Sequence, residues 1–249
     1  MHLKLICCKI LQRELARIIS ESENTVDFTM LRQDYHQTPE VLRTLLQEEI
    51  DAIDNNSGKY TNDLTLKDID AILLGYGLCS NAILGLCSKK YKIVVPKAHD
   101  CTTLIMGSKE KYKEYFDENG GTYFYTRSWL ELGISEEEQR IEKLRKEYME
   151  KFGDEDIVEY LLSMERDMIK NYNCAAYVSW PDTPDRYEKE VISISEKKGW
   201  NYKHIQGTDS LLRDFVDGNW DEERFLIVSP GEQIAPSYDD GILKVKKVD

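Results

Sequence analysis

The chain has 249 residues, a hydrophobic fraction of 41% and a formal net charge of -13. This length is enough for one large or two small domains, and the recurring apolar runs exclude an intrinsically disordered chain. An acidic chain without a basic stripe is poorly suited to bind nucleic acid or an anionic membrane. No apolar run approaches the ~18 residues of a membrane span.

The N-terminal stretch indicates a strand that runs into a helix, and it lacks the small-residue cleavage pattern of a signal peptide. We therefore expect a cytoplasmic protein with neither a nucleic-acid partner nor a membrane partner. In that compartment, the six cysteines are expected to be free thiols or metal ligands rather than disulfides.

Apolar runs that alternate with amphipathic stretches fill the first half of the chain, and the runs predict buried strands. The stretch that begins at Pro39 has the apolar spacing of a helix, and another helix is predicted after Asn81, with Cys87 inside it. The predicted strands of this half are Leu3–Cys8, Val26–Leu31, Ile69–Leu74, Ile93–Val95 and Gly121–Thr126.

The pattern changes at Ser135, where an acidic capping box opens a charged amphipathic helix that ends near Gly153. A second charged helix is predicted from Asp156 to about Tyr172. Strands and helices then alternate again. The predicted inward side chains of the second charged helix are Ile157, Leu161, Met164 and Met168, and the later predicted strands are Ala175–Trp180, Tyr202–Ile205 and Phe225–Val228.

The alternation of strands and helices predicts an α/β fold with a Rossmann-like, mainly parallel sheet. We expect two lobes joined by a charged helical hairpin. The expected domains are a larger α/β lobe over residues 1–132, the hairpin connector over 133–172 and a smaller α/β lobe over 173–249. A single larger sheet fed by both halves of the chain is the alternative.

Three cysteines follow the ends of predicted strands: Cys8 closes the first strand, Cys79 follows the third and Cys101 follows the fourth. Because ligands bind outside the carboxyl ends of parallel strands, these thiols are expected to converge on one edge of the sheet. Thiolates and imidazoles are the ligands that zinc prefers, usually four in a tetrahedral array. The pattern predicts a zinc site of these three cysteines, with His36 or His99 as the fourth ligand. The alternative is that the cysteines are small buried residues.

A glycine-rich turn follows the third predicted strand. Gly75, Tyr76, Gly77 and Asn81 have the form of a loop that cradles a phosphate or dinucleotide, although one glycine of the full fingerprint is missing. We treat these four as candidate cofactor-binding residues. The alternative is a tight turn that places Cys79 at a helix N-terminus, where the helix dipole lowers a thiol pKa.

His99 and Asp100 are the candidate catalytic residues, because they directly precede Cys101. A cysteine beside a histidine is one arrangement of a nucleophile and its base. We favour the metal site over a covalent cysteine mechanism. Asp100 would then shuttle a proton or orient a ligating histidine. Its alternative role is to cap a helix that begins near Thr102.

At these residues the chain resembles domain-of-unknown-function family 1638, and the resemblance spans nearly the whole chain. The proposed ligands and candidate catalytic residues lie at matching positions, which implies a shared metal or active site. The matching stretches are Ile6-Cys7-Cys8, Leu31 through His36 into Thr38-Pro39, Tyr76 through Asn81, Pro96 through Cys101, Gly107-Ser108, Gly121-Thr122-Tyr123 leading to Trp129, and Phe225 through Val228 leading to Pro230-Gly231.

Members of this family are often encoded near corrinoid-dependent methyltransferase systems. The resemblance therefore implies a role in one-carbon metabolism, with a small-molecule substrate and a corrinoid protein as partners. Our first hypothesis is a zinc-thiolate enzyme in methyl transfer. The second is a module that binds a corrinoid or small metabolite without its own catalysis. The third is a protein with structural cysteines whose acidic surface docks a partner.

Overall fold

The computed structural model describes residues 1–33, 35, 38–57, 68–132, 137–239 and 241–248. The chain forms two compact units. The first combines residues 1–112 with 208–249, and the second comprises residues 113–207.

Every predicted strand is present within two residues of its expected ends. In chain order the strands are β1 (His2–Cys8), β2 (Thr25–Leu31), β3 (Ala71–Gly75), β4 (Ile93–Pro96), β5 (Thr122–Thr126), β6 (Cys174–Ser179), β7 (Asn201–Gln206), β8 (Phe225–Val228), β9 (Glu232–Pro236) and β10 (Leu243–Lys247). The α-helices are α1 (Gln12–Glu21), α2 (Pro39–Asp54), α3 (Cys101–Met106), α4 (Lys109–Glu118), α5 (Arg127–Leu132), α6 (Glu137–Phe152), α7 (Glu155–Lys170), α8 (Asp185–Lys198) and α9 (Ser210–Asp217).

The first unit is built on a five-stranded sheet with the order β2-β1-β3-β4-β8. The first four strands are parallel, and β8 is antiparallel to β4. This confirms the predicted α/β class with a mainly parallel sheet. All residues of β1, β3 and β4 are buried, as their continuous apolar runs predict for strands covered on both faces. Strands β9 and β10, which we did not predict, form a separate antiparallel hairpin.

The strand order reverses beside β1. The chain runs from β1 to β2 on one side and then crosses to β3 on the other side. Crevices at such a reversal, outside the carboxyl ends of the strands, are where open α/β sheets bind ligands. The loops that follow β1 and β3 are therefore where this fold is expected to bind a ligand.

The second unit contains the parallel three-stranded sheet β5-β6-β7. Its core includes Tyr125, Ala175, Tyr177, Tyr187 and Val191. Helices α6 and α7 lie in the chain between β5 and β6, the first neighbouring pair of this sheet.

The structure therefore divides the chain differently from the expected lobes at 1–132, 133–172 and 173–249. The helical hairpin is part of the connection between two paired strands, and it belongs to the second unit. Phe225–Val228 was expected in the smaller lobe, yet it pairs with β4 in the first sheet. The sequence pattern identifies strands, whereas the identity of their hydrogen-bonding partners depends on contacts distant in sequence.

Two helix predictions were wrong in detail. Turns, rather than a helix, follow Cys79 up to Gly85. In α7, the buried side chains are Val158 and Leu162, which pack with Leu144 of α6. The predicted inward residues Ile157 and Met164 are exposed instead. The α7 sequence carries two apolar stripes one residue apart, and packing against α6 selects the other one.

No helix within the described ranges is both long and apolar enough to cross a membrane.

Candidate functional site

Cys8 is the last residue of β1 and is buried at the reversal of strand order. Residues of a strand alternate between its two faces, so Cys8 and its neighbour Cys7 point to opposite sides of the sheet. Burial raises the pKa of the Cys8 thiol to about 11, although a hydrogen bond from the backbone of Ile10 favours the thiolate. Cys8 is therefore a neutral thiol at neutral pH.

Cys79 lies in a left-handed turn after β3. Cys79, Ser80 and Asn81 have φ values of 47°, 56° and 67°, three consecutive non-glycine residues in the left-handed region. Ala82 N donates to Cys79 O at 3.1 Å and closes the turn. Each such residue costs about 1–2 kcal/mol. Strain of this kind concentrates at functional sites, where the surrounding structure holds it.

The turn after β3 is held against the loop after β4 by backbone hydrogen bonds. Leu78 N donates to Ala98 O at 2.8 Å, and Cys79 N donates to His99 O at 3.1 Å. Gly77 permits this close approach, because a Cβ atom there would lie 2.7 Å from the backbone nitrogen of Asp100. The two loops therefore fix Cys79 beside the segment that leads into Cys101.

The thiols of Cys8, Cys79 and Cys101 form one electrostatic cluster, which we call the three-thiol cluster. Burial is the largest influence and raises the pKa of each thiol. A negative charge on Cys8 raises the pKa of the other two further, and a charge on Cys79 raises that of Cys101. The structure thus brings together three cysteines separated by up to 93 positions in sequence.

The candidate loop residues Tyr76 and Gly75 border this cluster. Tyr76 is buried, and its phenol pKa is raised well above the ordinary value, first by burial and then by the neighbouring Cys8, Cys7 and Cys79. Gly75 ends β3, and a Cβ atom on it would lie 2.6 Å from the Cβ of Cys7. This tight packing explains the glycine without assigning it a ligand.

Asp100 is the N-cap of α3, which begins at Cys101. Its Oδ1 accepts hydrogen bonds from the Thr103 backbone N–H at 2.9 Å and the Thr103 hydroxyl at 3.0 Å, and its Oδ2 accepts from the Tyr112 hydroxyl at 2.9 Å. The capping alternative is therefore what the structure shows for Asp100. Its charge also raises the pKa of Cys79 and Cys101. A role of Asp100 in proton transfer stays a prediction.

The two candidate histidine ligands have different outcomes. The His99 side chain is exposed, and its ring centroid is 6.4 Å from that of Tyr112. The contribution of His99 to the cluster is its carbonyl, which accepts from Cys79. His36 lies outside the described residues. Among the residues that the structure does describe, no three His, Cys, Asp or Glu side chains are arranged as a group that could hold a metal ion.

Arg43 of α2 contacts the left-handed turn and was not among the predicted site residues. Its Nη2 donates to Asn81 O at 2.8 Å. Its Nε is buried and has no hydrogen-bond partner in the described part of the chain. An arginine in an amphipathic helix usually indicates a solvated face. The sequence signal that was available is the position of Arg43 in the second turn of a helix that follows a parallel strand, close to the carboxyl edge of the sheet.

A family model described as "Protein of unknown function (DUF1638)" matches residues 30–216 of the chain. The chain belongs to this family. The resemblance noted from the motifs is confirmed, and the match includes Arg43, Cys79 and Cys101, whereas Cys8 precedes it. Comparison with curated proteins found no match, and comparison with solved structures found none either.

Proposed function

We propose that this DUF1638 protein binds a zinc ion with the three-thiol cluster and acts in methyl transfer linked to corrinoid-dependent metabolism. The observation that carries the proposal is the convergence of three electrostatically interacting thiols at the reversal of strand order. No cation is among the groups that set the pKa of Cys79 or Cys101 within the described residues. A divalent metal would supply the positive charge that lets these thiols ionise together.

The chemistry of the donors fits zinc, because thiolates are among its preferred ligands. The arrangement of the described side chains is not a closed metal site. Binding therefore requires the thiols to reorient toward the ion, with His36, His99 or the substrate in the fourth position. The side chains that hold the metal would be those of Cys8, Cys79 and Cys101.

A bound zinc ion would supply Lewis acidity, which lowers the pKa of a substrate thiol or alcohol. The protein's own residues would hold the thiols in a buried environment and fix the two loops that carry Cys79 and Cys101. Asp100 keeps α3 and Cys101 in place through its cap. Methyl transfer, a small-molecule substrate and a corrinoid protein as partner rest on the family resemblance.

The proposal treats the five-stranded sheet as Rossmann-like, and the order β2-β1-β3-β4 with its reversal beside β1 supports this. It also places the protein in the cytoplasm. All six cysteines are free, which suits a reducing compartment.

Metal analysis of protein purified without a chelator tests the proposal. We expect close to one equivalent of zinc per chain in the wild type, and loss of zinc in Cys79→Ser. The matched control is Cys174→Ser, which replaces a buried cysteine in the second unit and should retain the metal. Less than about half an equivalent in the wild type, or equal loss in both variants, would contradict the zinc assignment. Visible absorption after anaerobic purification would favour a corrinoid or iron instead, since zinc is colourless.

A further inference from the structure

The guanidinium group of Arg43 contacts the turn that carries Cys79 and has a buried N–H donor without an acceptor in the described part of the chain. Of its five N–H groups, the described part of the chain accepts one, through the 2.8 Å bond from Nη2 to Asn81 O. The Nε–H is buried without an acceptor there. Buried polar groups are nearly always hydrogen-bonded, so an orphaned donor points to a missing partner such as an ion or ligand.

The charge environment makes this arginine unusual. The protein carries 46 acidic residues against 33 basic ones. Other arginines of the first unit are neutralised by carboxylates: Arg213 by Glu21 and Asp209, and Arg224 by Asp214. Arg43 has no carboxylate within ion-pair distance among the described residues, and its one contact is a neutral carbonyl.

Lys97, the cation that directly follows β4, does not take this role. Its ammonium donates to the Glu222 carbonyl at 2.6 Å, so it holds the 222–224 backbone against the end of β4. Arginine also differs from lysine in its planar fork, which binds carboxylate and phosphate through two parallel hydrogen bonds.

We propose that Arg43 binds an oxyanion of the substrate, a carboxylate or a phosphate, beside the left-handed turn that carries Cys79. This inference deepens the proposed function and rests on it for the identity of the site. The side chain is anchored by Asn81 O, on the same left-handed turn as Cys79. An anion held by Nε and a neighbouring N–H would satisfy the buried donor and hold the substrate at the turn that carries Cys79. Arg43 would thus select substrates with a negative charge.

The experiment measures the affinity of the zinc-loaded protein for inorganic phosphate and, separately, for acetate, by calorimetry at constant ionic strength. We expect saturable binding of at least one of the two, and the arm that binds distinguishes phosphate from carboxylate. Arg43→Gln should weaken it about tenfold to a hundredfold, and Arg43→Lys about tenfold, because lysine loses the bidentate geometry. Arg17→Gln is the matched control, since it removes a surface arginine paired with Glu21 and should leave binding unchanged.

Absence of saturable binding in the wild type, or equal affinity in wild type and Arg43→Gln, would overturn the role of Arg43. If Arg43→Gln fails to fold, the comparison of Arg43→Lys with Arg17→Gln decides the question. The zinc content of the Arg43 variants is measured in parallel and should equal that of the wild type. Wild-type protein that holds less than about half an equivalent of zinc and still binds the anion through Arg43 would overturn the metal proposal and not this one.

Discussion

The two ends of β1 accommodate buried polar side chains in opposite ways. At its start, His2 and Lys4 are buried, and both contact the carboxylate of Asp27 on β2. At its end, Cys8 joins Cys79 and Cys101 in a cluster in which the charge of Cys8 raises the pKa of the other two thiols. The buried amino end of the strand is paired with a carboxylate within the protein, whereas the carboxyl end carries thiols whose pKa values are raised.

This difference indicates which end of β1 is suited to bind a ligand. Buried charge at the amino end is balanced by the fold itself, so that end contributes to stability and needs nothing else. At the carboxyl end, strained backbone and closely packed loops hold neutral donors in place. Arrangements that cost folding energy without balancing charge are typical of binding sites.

Gly77→Ala should have the largest effect, because it disrupts the packing of the loops at the carboxyl end of β1 and leaves all three thiols in place. The new Cβ would lie 2.7–2.9 Å from backbone atoms of Ala98 and Asp100, which have little freedom to move. We expect a loss of about 3 kcal/mol in the free energy of unfolding, measured with denaturant, together with loss of bound zinc. Gly120→Ala is the control, since a Cβ there meets nothing within 4 Å. Equal stability of the two variants would refute the close approach of the loops.

Asp27→Asn disrupts the polar contacts at the amino end of β1 instead. It removes the charge that balances Lys4 and His2, and we expect a loss of about 1–2 kcal/mol, a modest value because half of the Asp27 side chain is exposed. Zinc content should not change. Asp68→Asn, which removes an exposed surface partner of Lys90, should leave stability nearly unaltered. Loss of zinc in Asp27→Asn would mean that the two ends are not independent.

The pH dependence of stability tests the same difference between the two ends of β1. Burial raises the Asp27 pKa, but hydrogen bonds from Lys4 and His2 outweigh it, and the pKa is lowered overall. Its contribution is therefore present above the pKa of the unfolded chain and is lost as the pH falls through the lower folded value. Unfolding curves of wild type and Asp27→Asn should differ at neutral pH and converge in acid. A constant difference between them at every pH would contradict the assignment.

The smallest expected effect is a difference in the rates at which individual cysteines of the metal-free protein react with iodoacetamide. Cys87 is partly exposed and should react first, whereas Cys7 and Cys79 are buried with raised pKa values and should react slowly. Zinc should slow the reaction of Cys101 and leave that of Cys87 unchanged, as mass spectrometry of the peptides would show. Protection of Cys87 by zinc would place the metal elsewhere.

Strand positions and the convergence of the thiols were accessible from the sequence for a physical reason. Continuous apolar runs such as Leu3–Cys8 have few alternatives to a buried parallel strand, and parallel strands place their ends at one edge. The pairing of β8 with β4 was not accessible, because no local pattern encodes a partner more than a hundred residues away.

The environment of Cys79 was also beyond the sequence. The predicted helix after Asn81 would have lowered the thiol pKa, whereas a left-handed turn stands there, and burial and the charge of Cys8 raise the pKa. Three non-glycine residues in the left-handed region contradict local preference, so only tertiary contacts, including the bond from Arg43, hold them there. Arg43 itself was missed because its unusual feature is a buried Nε–H without an acceptor among the described residues, which no sequence pattern reveals.

Calorimetric titration of the reduced, metal-free protein with zinc, in buffers of different ionisation enthalpy, tests the central claim most directly. The dependence of the heat on the buffer reports how many protons leave the protein when the metal binds. We expect binding at neutral pH with release of one proton from each of Cys8, Cys79 and Cys101, and no zinc binding in Cys79→Ser. Absence of zinc binding, or binding with no proton release, would contradict a site made of neutral thiols awaiting a cation.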